Sequence, residues 1–197
     1  CDGSKIELNT NTVVRADVDA THRTASIEKG EAYFQIAHDE NSPFVVSVHG
    51  HRITVLGTKF TVRADAGRTE VALFEGRVWF SGGGEARREK TALLTPGDVL
   101  VSTANATSIV KKSDRDLYRN IGWRHDVLIF ANSTLAEAAA EFNRYNTQQI
   151  VIADAAAANL RIGGTFQSKH VEDFTHLAQA VLGLHVATRG SRIVISH

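Results

Sequence analysis

The sequence predicts two folds in tandem. An all-β domain over residues 1–110 forms a sandwich, a roll or a solenoid-like stack of short strands. A small α+β sandwich made of two β-α-β units follows over residues 123–197. Three observations predict this. Apolar residues alternate with period two through the first 110 residues, as in Ala32-Phe34-Ile36, Phe60-Val62, Val71-Leu73 and Val78-Phe80. Breakers recur at short intervals: Gly30, Pro43, Gly50, Gly57, Gly67, Gly76, Gly82 to Gly84, and Pro96-Gly97. Beyond residue 122 strand patterns and helix patterns alternate, and the order is used twice.

In the first half the words Lys29–Ala37, Gly57–Arg63 and Val71–Phe80 read as strands of a tight meander. Lys59, Thr61, Arg63, Arg77 and Trp79 occupy the parity opposite the core. The run Gly82-Gly83-Gly84 followed by Glu85 to Lys90 reads as a hairpin tip. At 111–122 the alternation stops and charge rises, which suggests a linker with about one helical turn.

In the second half, Asp126–Ala131 is a strand and Thr134–Tyr145 a helix. Leu135, Ala138, Ala139, Phe142 and Tyr145 share one face of that helix. Thr134 and Glu137 have capping-box spacing, and Asn146 suits a left-handed C-terminal position. Gln149–Ala153 is a strand. Leu160–Phe166 then repeats the strand, and Val171–Leu182 the helix, with Val171, Phe174, Leu177, Ala178, Val181 and Leu182 as its apolar face. Leu184–Thr188 and Ile193–Ser196 close the unit as a hairpin, and both helices are expected on one face of one sheet.

Composition narrows the function. Lys plus Arg and Asp plus Glu are both 22, so the net charge is zero and composition offers no basic footprint for nucleic acid; the longest basic clusters, Arg87-Arg88 with Lys90 and Lys111-Lys112, are short. Cys1 is the single cysteine, so no intrachain disulfide forms. Cys1 stands directly before a strand word, whereas a lipid anchor is usually followed by a flexible tether; it is therefore expected to be an accidental boundary. No apolar run approaches the roughly 20 residues of a membrane-spanning helix. The 197 residues contain no Met, so the chain is expected to be a fragment.

Catalytic chemistry finds no foothold. A hydrolytic triad needs an activated nucleophile, yet there is no G-x-S-x-G and no internal cysteine. Gly163-Gly164-Thr165 and Gly82-Gly83-Gly84 lack the lysine and helix of a phosphate loop. His49 and His51 are two apart, but Gly50 between them favours a turn, and no third ligand stands nearby. No catalytic, cofactor or metal residue is expected. Trp79, Trp123 and Tyr118 are candidate interface aromatics.

The word order Asp2-Gly-Ser with Leu8-Asn9, then KGEAYFQIA, PFVV, VLGTKFTVR, VALFEGRVWF and TPGDV, resembles the extracytoplasmic part of the FecR family. The words FANSTLAEAAAEFNRYN, IVIAD and LRIGGTF resemble the secretin/TonB short N-terminal domain, an adaptor fold. These resemblances imply a single-pass inner-membrane regulator whose periplasmic part is seen here. Its implied partners are the N-terminal signalling domain of an outer-membrane TonB-dependent receptor and, through a cytoplasmic region upstream, an extracytoplasmic-function sigma factor. Iron or siderophore signalling, no cofactor and no enzymatic activity are implied too. Receptor contacts are expected on the adaptor domain, at Asn143, Arg144, Gln149, Ile150, Val151, Arg161, Ile162 and Gly163. The competing reading is a cell-envelope carbohydrate- or ligand-binding β-domain, which would show exposed aromatics and a carboxylate in one concavity.

Overall fold

The structure, a computed structural model, describes residues 2–19, 22–82 and 90–197. Cys1 and most of the expected glycine-rich hairpin tip lie outside the described residues. The chain divides into two compact units, Cys1–Leu117 and Tyr118–His197.

The first unit is all β until its last residues. Its strands are β1 (Lys5–Leu8), β2 (Val13–Val18), β3 (Arg23–Gln35), β4 (Phe44–Val48), β5 (His51–Val55), β6 (Lys59–Asp65), β7 (Arg68–Glu75), β8 (Val78–Gly82), β9 (Lys90–Leu94), β10 (Asp98–Thr103) and β11 (Thr107–Lys111). The long strand β3 serves two layers. Its first half pairs with β2 and, in parallel, with β4; its second half, from Gly30, pairs with β6 and, from Ala32, with β1. One layer therefore runs β11-β10-β7-β6-β3-β1, and the other runs β2-β3-β4-β5-β8-β9. This is a roll, not a solenoid-like stack.

Gly30 marks the changeover, at φ 92°, and a Cβ there would stand 2.5 Å from the Thr12 Cα. Only glycine tolerates both conditions. The core lies between the layers. Phe34, Phe60, Leu73 and Leu100 enter from one, Phe44, Ile53, Phe80 and Leu94 from the other, all fully buried. Phe34 and Phe60 stack with centroids 4.9 Å apart.

The strand parity agrees with the alternation: Phe60, Val62, Val71, Leu73 and Val78 are buried, while Lys59 pairs with Glu75 at the surface. Thr61 is an exception. It is buried on the outer parity, in a cross-strand row with Tyr33, Ala72 and Val99, which are buried as well. Gly76 turns at φ 88° as expected, but Gly57 is required for a different reason: its Cβ would meet the His38 Cα at 2.6 Å.

The segment read as a linker contains helix α1 (Asp114–Asn120), about two turns long, and the boundary between units falls inside it. A short 3-10 turn, Gly122–His125, follows.

The second unit runs β12 (Val127–Thr134), α2 (Leu135–Tyr145), β13 (Gln149–Ile152), α3 (Ala155–Ala158), β14 (Arg161–Gln167), α4 (Val171–Ala180), β15 (His185–Arg189) and β16 (Arg192–Ser196). The capping box forms: Glu137 N donates to Thr134 Oγ1 at 3.1 Å, and Thr134 N donates to Glu137 Oε2 at 2.8 Å.

Four features differ from the sequence reading. The strands do not share one sheet; they form a pair β12-β14 and a triplet β13-β16-β15, and both sheets and both long helices contribute to one core. The short helix α3 has no counterpart in the sequence pattern; Asp154 caps it by accepting from Ala157 N at 2.8 Å. Asn146 is extended (φ −121°), because its amide bridges the Phe142 and Ser168 carbonyls, each at 2.9 Å. Val181 is 73% exposed, since α4 ends before it.

Candidate interaction site

Two polar anchors organise the beginning of the chain. Arg23 is buried, with 3% of its side chain exposed. It donates to the Asp2 carboxylate at 2.8 Å, and to the carbonyls of Ser42 at 2.5 Å and Ala37 at 2.8 Å. Ser4 N and Oγ also donate to Asp2, at 2.9 and 2.8 Å. Burial pushes the Asp2 carboxyl up, but the Ser4 and Arg23 hydrogen bonds and the Arg23 charge outweigh it and hold the group at about 2. The second anchor joins Asn9 and Glu31: Asn9 Nδ2 donates to Glu31 Oε2 at 2.8 Å, and Glu31 N donates to Thr12 Oγ1 at 2.9 Å. The words DGS, LN and KGE are thus structural couplings. The sequence reading did not find Arg23; a lone arginine in a strand carries no pattern that separates it from a surface residue.

The histidines form a clasp between the layers. His49 (φ 47°) and Gly50 (φ 77°) make the β4–β5 turn. His49 Nδ1 lies 3.0 Å from Thr69 Oγ1 of β7, and His51 Nε2 lies 3.2 Å from Ser102 Oγ of β10. The His51 ring packs 4.8 Å from Phe80 and over Gly82, where a Cβ would strike it. Its Nδ1 is buried without a partner among the described residues. No group of three His, Cys, Asp or Glu among the described residues could hold a metal.

Trp79 is 36% exposed and stands beside Leu93, 52% exposed, in a cross-strand row Thr24-Val45-Thr54-Trp79-Leu93 on the outer face of its layer.

In the second unit, hydrogen-bond direction decides which edges are available. Gln149 N donates to Ser191 and Ala153 N to Ile195, so residues 149, 151 and 153 face β16, and Ile150 and Ile152 face away. The outward groups of Ile150 are already occupied: Asn143 Nδ2 donates to its carbonyl at 2.8 Å, and its N–H donates to Asn143 Oδ1 at 2.7 Å. Asn143 therefore plugs the β13 edge as a substitute strand. Gln149 Nε2 caps the Asn143 and Asn146 carbonyls at 3.2 and 2.7 Å.

The β12-β14 pair differs. Ser168 N donates to Asp126 O and Leu135 N to Leu160 O, which fixes the ladder on either side of a bulge at Ala131/Ser133. The backbone groups of Arg161, Gly163, Thr165 and Gln167 then point away from β12. All four residues are exposed. The opposite edge, on β12, is encumbered: a Cβ on Gly122 would stand 2.8 Å from the Val127 carbonyl oxygen.

Of the sequence-predicted residues, Ile150 and Ile162 point into the core and are 4% and 5% exposed. Arg144 pairs with Glu141 at 2.5 Å. Val151 is 41% exposed, Gly163 is exposed, and Arg161 is exposed and donates to Asn132 O at 2.8 Å. The structure brings Asn143, Gln149 and Ile150 together, and Arg161, Ile162 and Gly163 along one strand. No helix among the described residues is long and apolar enough to cross a membrane.

No curated protein matches the chain. Two crystal structures of a Parabacteroides distasonis ATCC 8503 protein, provisionally designated an anti-sigma factor, are similar to it, each with TM-score 0.77 and 26% identity. The alignments cover 98% and 99% of this chain and 90% of that one. In sequence, residues 1–79, which carry β1 through β7 and both polar anchors, match the family model described as FecR protein.

Proposed function

We propose that this chain is the extracytoplasmic sensor of a FecR-type regulator. In this reading residues 1–110 are the FecR-like β-domain, residues 111–122 the linker and residues 123–197 an adaptor domain of the short N-terminal type. The adaptor receives a signal from the N-terminal signalling domain of an outer-membrane TonB-dependent receptor. The regulator relays it across the inner membrane to an extracytoplasmic-function sigma factor, in a system of the iron or siderophore type. The observation that carries the reading is the FecR match over residues 1–79, supported by the likeness of nearly the whole chain to the Parabacteroides protein. The order β-α-β, then β-α-β-β, of the second unit, with the short helix α3 between the two parts, is consistent with the adaptor. Recognition and transmission are the physics required, and the chain offers hydrogen-bonding sheet edges for them.

The test is co-purification of this chain with the signalling domain of the TonB-dependent receptor encoded beside it, together with a sigma-dependent reporter. A stable complex, and a reporter that loses ligand response when the chain is deleted from the regulator, are expected. No complex with the folded chain overturns the reading.

A further inference from the structure

We propose that a partner's extended strand adds to the free edge of β14, alongside Arg161–Gln167, and turns the two-stranded sheet into a three-stranded one. The inference rests on the receptor reading above and names the surface through which it operates.

Four outward N–H groups line this edge, those of Arg161, Gly163, Thr165 and Gln167. Three carbonyls accompany them, because the Gln167 carbonyl already accepts from His170 N at 3.1 Å. Natural sheet edges are protected by charges, bulges or covering segments. Among the described residues the other edges have such protection, with Lys90 standing on β9. Asn143 plugs β13. Gly122 lies on β12, which is also bulged. Lys5 and Glu7 stand on β1, Arg15 and Asp17 on β2, Lys111 on β11, and β15 runs from His185 to Arg189. Between Arg161 and Gln167, β14 reads Ile-Gly-Gly-Thr-Phe and carries no charge.

The glycine in the middle of the edge serves approach. A Cβ at Gly163 would come no closer than 3.7 Å to any neighbour, so nothing inside the fold requires a bare position. A missing side chain there instead lets a second backbone come close. The same bareness argues for a different protein over a second copy. Two β14 strands paired antiparallel about Gly164 would place Gly163 opposite Thr165 on the exposed face, with little cross-strand packing there beyond Arg161 against Gln167. A partner strand that brings β-branched or aromatic residues supplies that packing itself.

The experiment uses the full chain and, as probe, the signalling domain of the neighbouring TonB-dependent receptor. Amide hydrogen exchange is followed with and without the probe. The N–H groups of Gly163 and Thr165 are expected to exchange freely alone and to slow by about a hundredfold in the complex, while Ile152 is unchanged. Thr165→Pro removes an outward donor and is expected to weaken binding about tenfold or more. Gly163→Lys adds an edge guard without disturbing the interior and is expected to act in the same direction, which covers the case that the proline variant does not fold. If the wild type binds but Gly163→Lys binds equally and the amides stay unprotected, the edge assignment is overturned and the receptor reading stands. If the folded wild type does not bind, the receptor reading falls and takes this inference with it. If Gly163 and Thr165 are protected in a dimer of the chain alone, the occupant is a second copy and the proposal is wrong.

Discussion

Arg23 donates at once to the Asp2 carboxylate and to the Ser42 and Ala37 carbonyls, and no other residue can replace it in that position. Arg23→Ala takes this donor from the Ala37 and Ser42 carbonyls, leaves the Asp2 carboxylate only its Ser4 hydrogen bonds, and opens a cavity. The expected cost is about 3 kcal/mol or more in chemical denaturation. Arg23→Lys is expected to recover less than half of it, because an ammonium cannot span the planar fork. A loss below about 1 kcal/mol for the alanine variant would mean that the anchor is ornamental. Phe60 and Lys59 make a paired test of strand register. Phe60→Ala, at a fully buried stacked ring, should cost about 3–5 kcal/mol, and Lys59→Ala, at an exposed ion pair, less than about 0.5 kcal/mol. His51 adds a pH dependence. Burial, then the neighbouring His49 charge, lowers its pKa from 6.5. The native state thus prefers neutral His51. Stability is full above pH 6.5 and falls as the pH drops through 6.5 toward the lower native value. Thermal melts from pH 7.5 to 5 should show this loss, and His51→Phe should remove it. An unchanged pH profile in that variant would assign the acid sensitivity elsewhere.

At the scale of elements, β3 is the pivot of the roll, and Gly30 is where it changes layer. Gly30→Ala combines positive φ with a collision against the Thr12 backbone and should cost roughly 3 kcal/mol. If that variant melts like the wild type, the changeover does not depend on a close approach. The sequence reading finds only the second half of this element, within Lys29–Ala37, by its alternation, and takes Gly30 as a breaker; the first half and the bend escape it, because a glycine in a strand looks the same at a turn, a bulge and a crossover. The same limit applies to β12 through β16. Their order was legible from periodicity and the capping box, but division into two sheets depends on pairing between segments distant in sequence, which no local pattern encodes. The edges are harder still. Asn143 ends a helix and reads as a surface residue, yet its amide completes β13, and only geometry distinguishes those roles.

At the scale of the whole molecule, the two hydrophobic cores draw on disjoint parts of the chain. One is built from residues between Ala25 and Leu100, the other from residues between Leu128 and Ile195. Cooperative unfolding follows shared buried contacts, so two cores with no residue in common are expected to melt as two transitions. Phe142 is the right probe for the second core, being fully buried with its ring 4.9 Å from Phe174 and 5.8 Å from Phe166. Phe142→Ala should destabilise one transition by about 3–5 kcal/mol and leave the other within about 0.5 kcal/mol. Phe60→Ala should do the reverse. Both effects can be read in one calorimetric series, with Trp79 and Trp123 reporting from different units in fluorescence. The reciprocal pattern matters for signalling, because independent cores let a partner on one unit change that unit without unfolding the other. A single transition that both variants lower equally would show that the units fold as one body, and a signal received at β14 would then reach the whole chain as a change in its global stability.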